Sequence, residues 1–165
     1  MILNEIFYSI QGEGKNIGAP VIFVRFGNCN LKCRWCDTKY TWHPDLRDNY
    51  EAQLPAVFEK IRQWPQCKHL VLTGGEPMLQ QNVIVALRAE FSDYYIEVET
   101  NGSQEIRCSD AVDLFTVSYK TRNSGNATYE LKTRGGKCVY KFVVDTPGDF
   151  SEIEEIIKKY DLPAE

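Results

Sequence analysis

Three cysteines within eight residues, Cys29, Cys33 and Cys36, are the densest cluster of chemistry-bearing side chains in the sequence. Their spacing is C-x3-C-x2-C. A closed structural zinc site takes four tetrahedral ligands, commonly two C-x2-4-C pairs or cysteines with histidines. The fourth ligand is missing here, because His43 lies seven residues past Cys36, beside Pro44, at no standard zinc spacing. Three thiolates on a tight loop suit three corners of a four-iron, four-sulfur cube, since thiolates are the soft ligands such clusters take. One iron is then left open to a substrate. The spacing favours the cluster, with a zinc site and plain buried thiols as the alternatives. Cys67, Cys108 and Cys138 share no such spacing and read as small buried apolar residues. Disulfides are not expected, because a chain of 165 residues buries a core unaided and nothing marks it as secreted.

Four other stretches carry unusual chemistry. Residues 73–77 read TGGEP, with Thr73 at a strand end. Gly74 and Gly75 allow close backbone approach to a bound ligand, and Glu76 offers a carboxylate to an ammonium. Taken alone, the same residues are a strand end, a turn and a proline at a helix start. Residues 99–102 (ETNG) place Glu99 and Asn101 where they can bind ribose hydroxyls or substrate edges, and they also contain an Asn-Gly turn. Residues 9–14 (SIQGEG) supply two glycines and two polar side chains, or simply connect a hairpin after Phe7, Tyr8 and Ile10. Arg25 sits inside the apolar run VIFVRF, where a charge needs a partner: a substrate carboxylate held bidentately, or a buried Asp or Glu.

These residues need elements to position them. Apolar β-rich runs recur at 21–26, 69–73, 95–100, 114–118 and 139–144, several of them hydrophobic enough to be covered on both faces. Helical periodicity occupies 52–64 (Leu54, Val57, Phe58, Ile61), 80–91 (Val83, Ile84, Leu87, Phe91) and 150–160 (Phe150, Ile153, Ile156, Ile157, Tyr160), with Ser151 placed to cap the last. This alternation implies βαβ units and a parallel sheet with right-handed crossovers. An open sheet and a partial barrel both fit, and either puts the working loops at the C-terminal ends of the strands. Residues 27–36, 73–77 and 99–102 follow the first three runs, so they converge on one face.

Net charge is -4 with a pI near 5.3, which excludes a strongly basic nucleic-acid binder. No apolar run approaches the roughly 20 residues that span a bilayer. The N-terminus, MILNEIFYSI, lacks the basic residues of a secretory signal. A soluble, cytoplasmic protein forming one domain over residues 1–165 is expected, with no direct nucleic-acid binding and no membrane partner.

C-x3-C-x2-C with Trp35 directly before its last cysteine resembles the radical S-adenosylmethionine superfamily, and TGGEP resembles the glycine-rich element by which that superfamily binds the methionine amino group. More narrowly, SIQGEG, Arg25, the CDT run 36–38 and ETNG resemble the 7-carboxy-7-deazaguanine synthase family, over residues 4–144. The resemblance implies a partial, open (β/α) barrel of the radical S-adenosylmethionine type, shortened at its C-terminus. It implies a lyase that contracts 6-carboxy-5,6,7,8-tetrahydropterin to 7-carboxy-7-deazaguanine with loss of ammonia, for queuosine-type 7-deazapurine nucleosides. In that superfamily a reduced four-iron cluster passes one electron to the sulfonium of S-adenosylmethionine, and the resulting 5′-deoxyadenosyl radical abstracts a substrate hydrogen, so the protein binds, orients and excludes water.

By the same resemblance Cys29, Cys33 and Cys36 hold the cluster. Trp35, Gly74, Gly75, Glu76, Glu99, Asn101, Ser118 and Lys120 bind the cofactor, and Ile10, Gln11, Gly12, Arg25 and Thr73 bind the pterin. The Thr38 hydroxyl binds a magnesium ion that also holds the substrate carboxylate, with Asp37 supporting it. Expected partners are an external electron donor of flavodoxin or ferredoxin type and a second copy in a homodimer. Two departures stand out. Tyr119 replaces the proline of the family's Ser-Pro-Lys, removing that restriction on the backbone. The sixth strand expected after residues 161–163 is absent, which implies a short variant, a truncated chain or a wall supplied by a dimer partner. A glycyl-radical activating enzyme shares the cysteine loop but not QGEG or CDT, and a non-catalytic zinc module is the other alternative.

Overall fold

The computed structural model describes residues 1–163. In chain order its elements are β1 (Ile2–Ile10), β2 (Pro20–Phe26), β3 (Tyr50–Glu51), α1 (Leu54–Ile61), β4 (His69–Gly74), α2 (Gln81–Glu90), β5 (Tyr95–Thr100), β6 (Leu114–Tyr119), β7 (Cys138–Phe142) and α3 (Asp149–Tyr160). One seven-stranded sheet has the order β3-β1-β2-β4-β5-β6-β7. β2, β4, β5, β6 and β7 run parallel, while β1 is antiparallel to both β2 and β3. The sheet does not close: β3 and β7 are its edges.

Parity along each strand divides the two faces. Ile22, Val24, Phe26, Leu70, Leu72, Ile96, Val98, Phe115 and Val117 lie in the main core with Val57 and Ile61 of α1 and Ile84 and Leu87 of α2. The opposite face starts apolar, where Val21, Phe23 and Val71 form a smaller cluster against Phe7 and Ala19. Toward the C-terminal strand ends that face turns polar: Arg25, Thr73, Glu99, Thr116, Ser118 and Lys141 line one cavity, so the sheet curls around it. The near-continuous apolar runs therefore reflect two cores, one on each side of the sheet.

Several boundaries differ from the sequence expectation. β1 begins as early as Ile2, a full nine-residue strand, and pairs with β2 as a hairpin whose connection follows Ile10. α1 starts two residues late, because the Ala52 N–H donates to the Met1 carbonyl beside β3 and Gln53 is extended ahead of the proline in the first turn. In α3 the buried residues are Ile153 and Ile156, while Phe150 (56% exposed) and Ile157 (37%) face outward. Ser151 makes no cap. The Asp149 carboxylate instead ties the preceding turn to the helix start, accepting from the N–H groups of Asp145 (2.8 Å) and Thr146 (2.7 Å), and these bonds hold its carboxyl below the usual range. The β5–β6 and β6–β7 crossovers carry only the 3-10 turns Ser109–Ala111 and Arg122–Ser124. Among the described residues no helix is long and apolar enough to cross a membrane. The expected absence of a further strand falls at Ala164 and Glu165, outside the described residues.

Candidate active site

A cavity of about 460 Å³ opens at the C-terminal ends of the parallel strands. Cys29, Cys33 and Cys36 all line it, as do Trp35, Thr38, Gly74, Gly75, Glu99, Asn101, Ser118 and Lys120. The cysteine thiols are free, with no disulfide among the six cysteines. Each of the three sulfurs in the loop receives an N–H donor of its own. Leu31 N–H points at Cys29 Sγ (3.4 Å), the Asn126 side-chain amide at Cys33 Sγ (3.1 Å) and the Trp42 indole at Cys36 Sγ (3.3 Å). Donors aimed at sulfur favour the thiolate, the form that binds iron.

Burial works the other way. It pushes the Cys29 thiol up to about 11 and raises Cys33, with the Lys120 ammonium opposing the rise at Cys33. Burial also lowers Lys120, against the pull of the neighbouring cysteines and Glu76. A positively charged cluster core bound by the three sulfurs relieves this desolvation of thiolate charge. Among the described residues no three Cys, His, Asp or Glu side chains converge as the ligands of a single ion would. In a four-iron cube each thiolate binds a different iron, so its sulfurs have no common point to converge on. The donor set fits the cube and leaves a closed zinc site without ligands.

TGGEP packs directly under this loop. The N–H groups of Gly75 and Glu76 donate to the carbonyls of Phe26 (2.9 Å) and Asn28 (2.8 Å), lashing the end of β4 to the start of the cysteine loop. A Cβ on Gly75 would stand 1.8 Å from the Asn28 carbonyl oxygen, and one on Gly74 (φ +123) 2.3 Å from that of Phe26. The glycines are thus required by the approach of two protein backbones, besides facing the cavity.

The ends of β5 and β6 complete this half. Asn101 is 5% exposed and its side-chain amide donates to Asn30 Oδ1 (3.0 Å) in the cysteine loop. Its Oδ1 accepts from Ser103 N–H (2.9 Å), and Gly102 adopts φ +81, so the Asn-Gly turn and the cavity lining coexist in ETNG. Lys120 Nζ donates to Ser118 Oγ (2.7 Å) and lies 5.1 Å from the centre of the Trp35 ring. Tyr119, in place of a proline, is buried. Its hydroxyl donates to the Tyr129 carbonyl (2.7 Å), while the Tyr129 hydroxyl accepts from Lys120 N–H (2.9 Å) and donates to the Asn101 carbonyl (2.7 Å). A tyrosine pair with ring centres 4.6 Å apart restrains the loop that proline would have restrained.

A family model for the radical S-adenosylmethionine superfamily matches residues 23–160. A 7-carboxy-7-deazaguanine synthase from Pyrobaculum aerophilum is 37% identical over 171 residues, covering 96% of this chain and 73% of that protein. One from Halobacterium salinarum is 34% identical, covering 94% and 68%. The crystal structure of QueE from Escherichia coli superposes with a TM-score of 0.74 at 29% identity, covering 96% of this chain and 76% of that one. This chain is a member of the 7-carboxy-7-deazaguanine synthase family. The open seven-stranded sheet is the radical S-adenosylmethionine fold of that family, and a four-iron cluster and S-adenosylmethionine are its cofactors.

Two of the residues that the synthase resemblance implies bring no side chain to the cavity. Glu76 does not face the cavity: it is fully buried, and its carboxylate accepts from Met78 N–H (3.0 Å), Thr100 Oγ1 (2.8 Å) and Asn101 N–H (2.7 Å). Burial raises its carboxyl despite these donors. In this arrangement it joins the ends of β4 and β5. The Ile10 side chain is also outside the lining, 59% exposed at the end of β1, which leaves the expected contact of its backbone with the pterin untouched.

The other residues expected at the pterin, Gln11, Gly12, Arg25 and Thr73, all line the cavity. Gln11 is 2% exposed and donates to Glu99 Oε1 (3.0 Å), Gly12 lines the cavity, and Thr73 Oγ1 donates to Glu99 Oε2 (2.5 Å). Arg25 is paired, but with a half-exposed carboxylate rather than a buried one. Its Nε donates to Glu5 Oε1 (2.8 Å), while the residue lines the cavity between the Phe7 and Tyr40 rings. Thr38 Oγ1 sits 3.6 Å from Cys36 Sγ, and Asp37 is exposed beside it. Sequence reasoning missed Trp42, Asn30, Asn126, Tyr129 and Lys141. Lys141 lines the cavity from β7 and pairs with Glu13.

Proposed function

We propose that this chain converts 6-carboxy-5,6,7,8-tetrahydropterin to 7-carboxy-7-deazaguanine with loss of ammonia, as a radical S-adenosylmethionine lyase of queuosine-type nucleoside biosynthesis. The observation that carries it is the single cavity. It holds three cysteine sulfurs, each met by an N–H donor, next to a polar row of Arg25, Thr73, Gln11 and Glu99. The cluster and S-adenosylmethionine, when bound, supply the electron and the hydrogen-atom abstraction.

The chain's own residues bind and orient. Cys29, Cys33 and Cys36 hold three irons. Gly74 and Gly75 present backbone, and Asn101, Ser118 and Lys120 present polar groups, to the cofactor side of the cavity. Arg25 spends only its Nε edge on Glu5, leaving the Nη fork for the substrate carboxylate, a geometry suited to bidentate recognition. Thr38 offers one hydroxyl to a magnesium ion, which accepts few protein ligands and keeps its waters. Gln11 and Gly12 wall the opposite side, and such fixed placement of one C–H bond gains rate by positioning. An external one-electron donor and a homodimeric assembly belong to the same proposal.

Anaerobic incubation of the reconstituted protein with dithionite, S-adenosylmethionine, magnesium and the carboxypterin tests it. The expected product is the carboxydeazaguanine by mass, with one ammonia per turnover. Cleavage of S-adenosylmethionine without any conversion of the pterin refutes the substrate assignment.

A further inference from the structure

The segment after β6 carries no motif, yet it grips the cysteine loop at consecutive residues. Lys32 N–H donates to Asn126 Oδ1 (2.9 Å), and Asn126 Nδ2 donates to Cys33 Sγ (3.1 Å). Arg34 N–H then donates to the Ser124 carbonyl (2.9 Å), and the Trp35 indole to Asn123 Oδ1 (3.2 Å). The gripping segment is itself pinned. Ser124 is fully buried, with its hydroxyl donating to the Thr121 carbonyl (2.7 Å) and accepting from Asn126 N–H (3.2 Å). Asn123 Nδ2 donates to the Val143 carbonyl (2.8 Å), and Gly125 takes the left-handed conformation (φ 79) that turns the chain.

Asn126 is the pivot, and its orientation is determined. The Lys32 backbone N–H can only donate, so the amide oxygen must face it and the NH₂ must face the sulfur. We propose that Asn126 is a positioning residue with an electronic role: it holds the cysteine loop through Lys32 and, by donating to Cys33 Sγ, raises the reduction potential of the cluster. The proposal rests on the cluster assignment made above. A hydrogen bond to a cluster sulfur withdraws electron density from the thiolate and favours the reduced, more negative cluster. The two halves of the amide therefore do separate jobs.

Asn126→Asp separates them. A carboxylate still accepts from Lys32 N–H but has no donor for sulfur, and it sets negative charge against the thiolate. Anaerobic redox titration of the reconstituted protein, read by electron paramagnetic resonance, gives the ratio of reduced to oxidised cluster at a fixed potential. Asn126→Asp is expected to keep the iron content of the unsubstituted protein and to lower that ratio at least tenfold, equivalent to about 59 mV for a one-electron couple. Asn126→Ala, which adds no charge, is expected to lower it less, and it decides the matter if the Asp variant loses iron. An unchanged ratio in iron-replete variants overturns the electronic role. Loss of iron in both variants assigns Asn126 to holding the loop alone and also overturns it. An unsubstituted protein that takes up no four-iron cluster removes the cluster assignment and the proposal together.

Discussion

Replacing Gly75 by alanine tests the physical reason for the glycine pair. The new Cβ would stand 1.8 Å from the Asn28 carbonyl oxygen, 2.4 Å from its carbon and 3.1 Å from Cys29 N, all of them backbone atoms. The end of β4 and the start of the cysteine loop must part by about 1.6 Å to restore ordinary contact at 3.4 Å. That separation breaks the bonds from Gly75 N–H to Phe26 and from Glu76 N–H to Asn28, at 2.9 and 2.8 Å. Two buried donors left unpaired cost about 1–3 kcal/mol each, so a loss of about 2–6 kcal/mol is expected. Gly12 is the control: it lines the same cavity, but nothing lies within 4 Å of its added Cβ, so Gly12→Ala should change stability by no more than about 0.5 kcal/mol. Urea denaturation gives both stabilities, and iron per chain after anaerobic reconstitution reports whether the loop still gathers its cysteines. A Gly75→Ala protein with an unshifted midpoint and full iron would refute the argument.

Single alanine substitutions at Cys29, Cys33 and Cys36 should each abolish the four-iron cluster, while Cys67→Ala, Cys108→Ala and Cys138→Ala, in the main core, should retain it at some cost in stability, as read by iron counting. Arg25→Ala should lower kcat/KM for the carboxypterin at least about 30-fold, from the roughly 2 kcal/mol or more lost when one partner of a buried charge pair is truncated, while uncoupled cleavage of S-adenosylmethionine persists. Glu5→Gln breaks the ion pair without touching the cavity, so an equal loss in that variant would assign Arg25 to the fold instead. Thr38→Ala should keep its iron but lose most of the rise in turnover on adding magnesium; equal turnover of the unsubstituted, chelator-treated enzyme with and without magnesium would remove the ion from the mechanism.

What was legible in the sequence is what local spacing carries. The cysteine loop, the glycine pair and ETNG each sit within a few residues, and the strands before them announce their own ends. Side-chain direction was less legible. The side chains of Glu76 and Ile10 point away from the cavity, because three donors draw the Glu76 carboxylate inward and strand parity turns Ile10 outward while Gln11 turns in. The partner of Arg25 was within reach: once β1 is read as a full strand, hairpin register sets Glu5 opposite Arg25. Asn126 and Tyr129 left no such trace. Asn126 meets Cys33 across 93 residues, and Tyr129 meets Asn101 across 28, so only the tertiary fold makes them part of the site.

β5 shows how the two sides of the cavity are tied together. Its inward carboxylates hold the loop that follows β1: Glu99 accepts from Gln11 and Thr73, and Glu97 from Asn16 (2.8 Å) and Thr116 (2.7 Å), with His69 Nε2 3.4 Å away. Burial alone would raise the Glu97 carboxyl, but these partners lower it on balance, so it stays charged as an anchor. At the end of the same strand Thr100 and Asn101 donate to Glu76, which ends the segment lashed to the cysteine loop. β5 is thus one link between the two walls, beside β2, which pairs with β1 and runs directly into the cysteine loop. The loop after β1 and the cysteine loop are separate in sequence, and β5 helps fix their distance because it carries the carboxylates or donors that hold each.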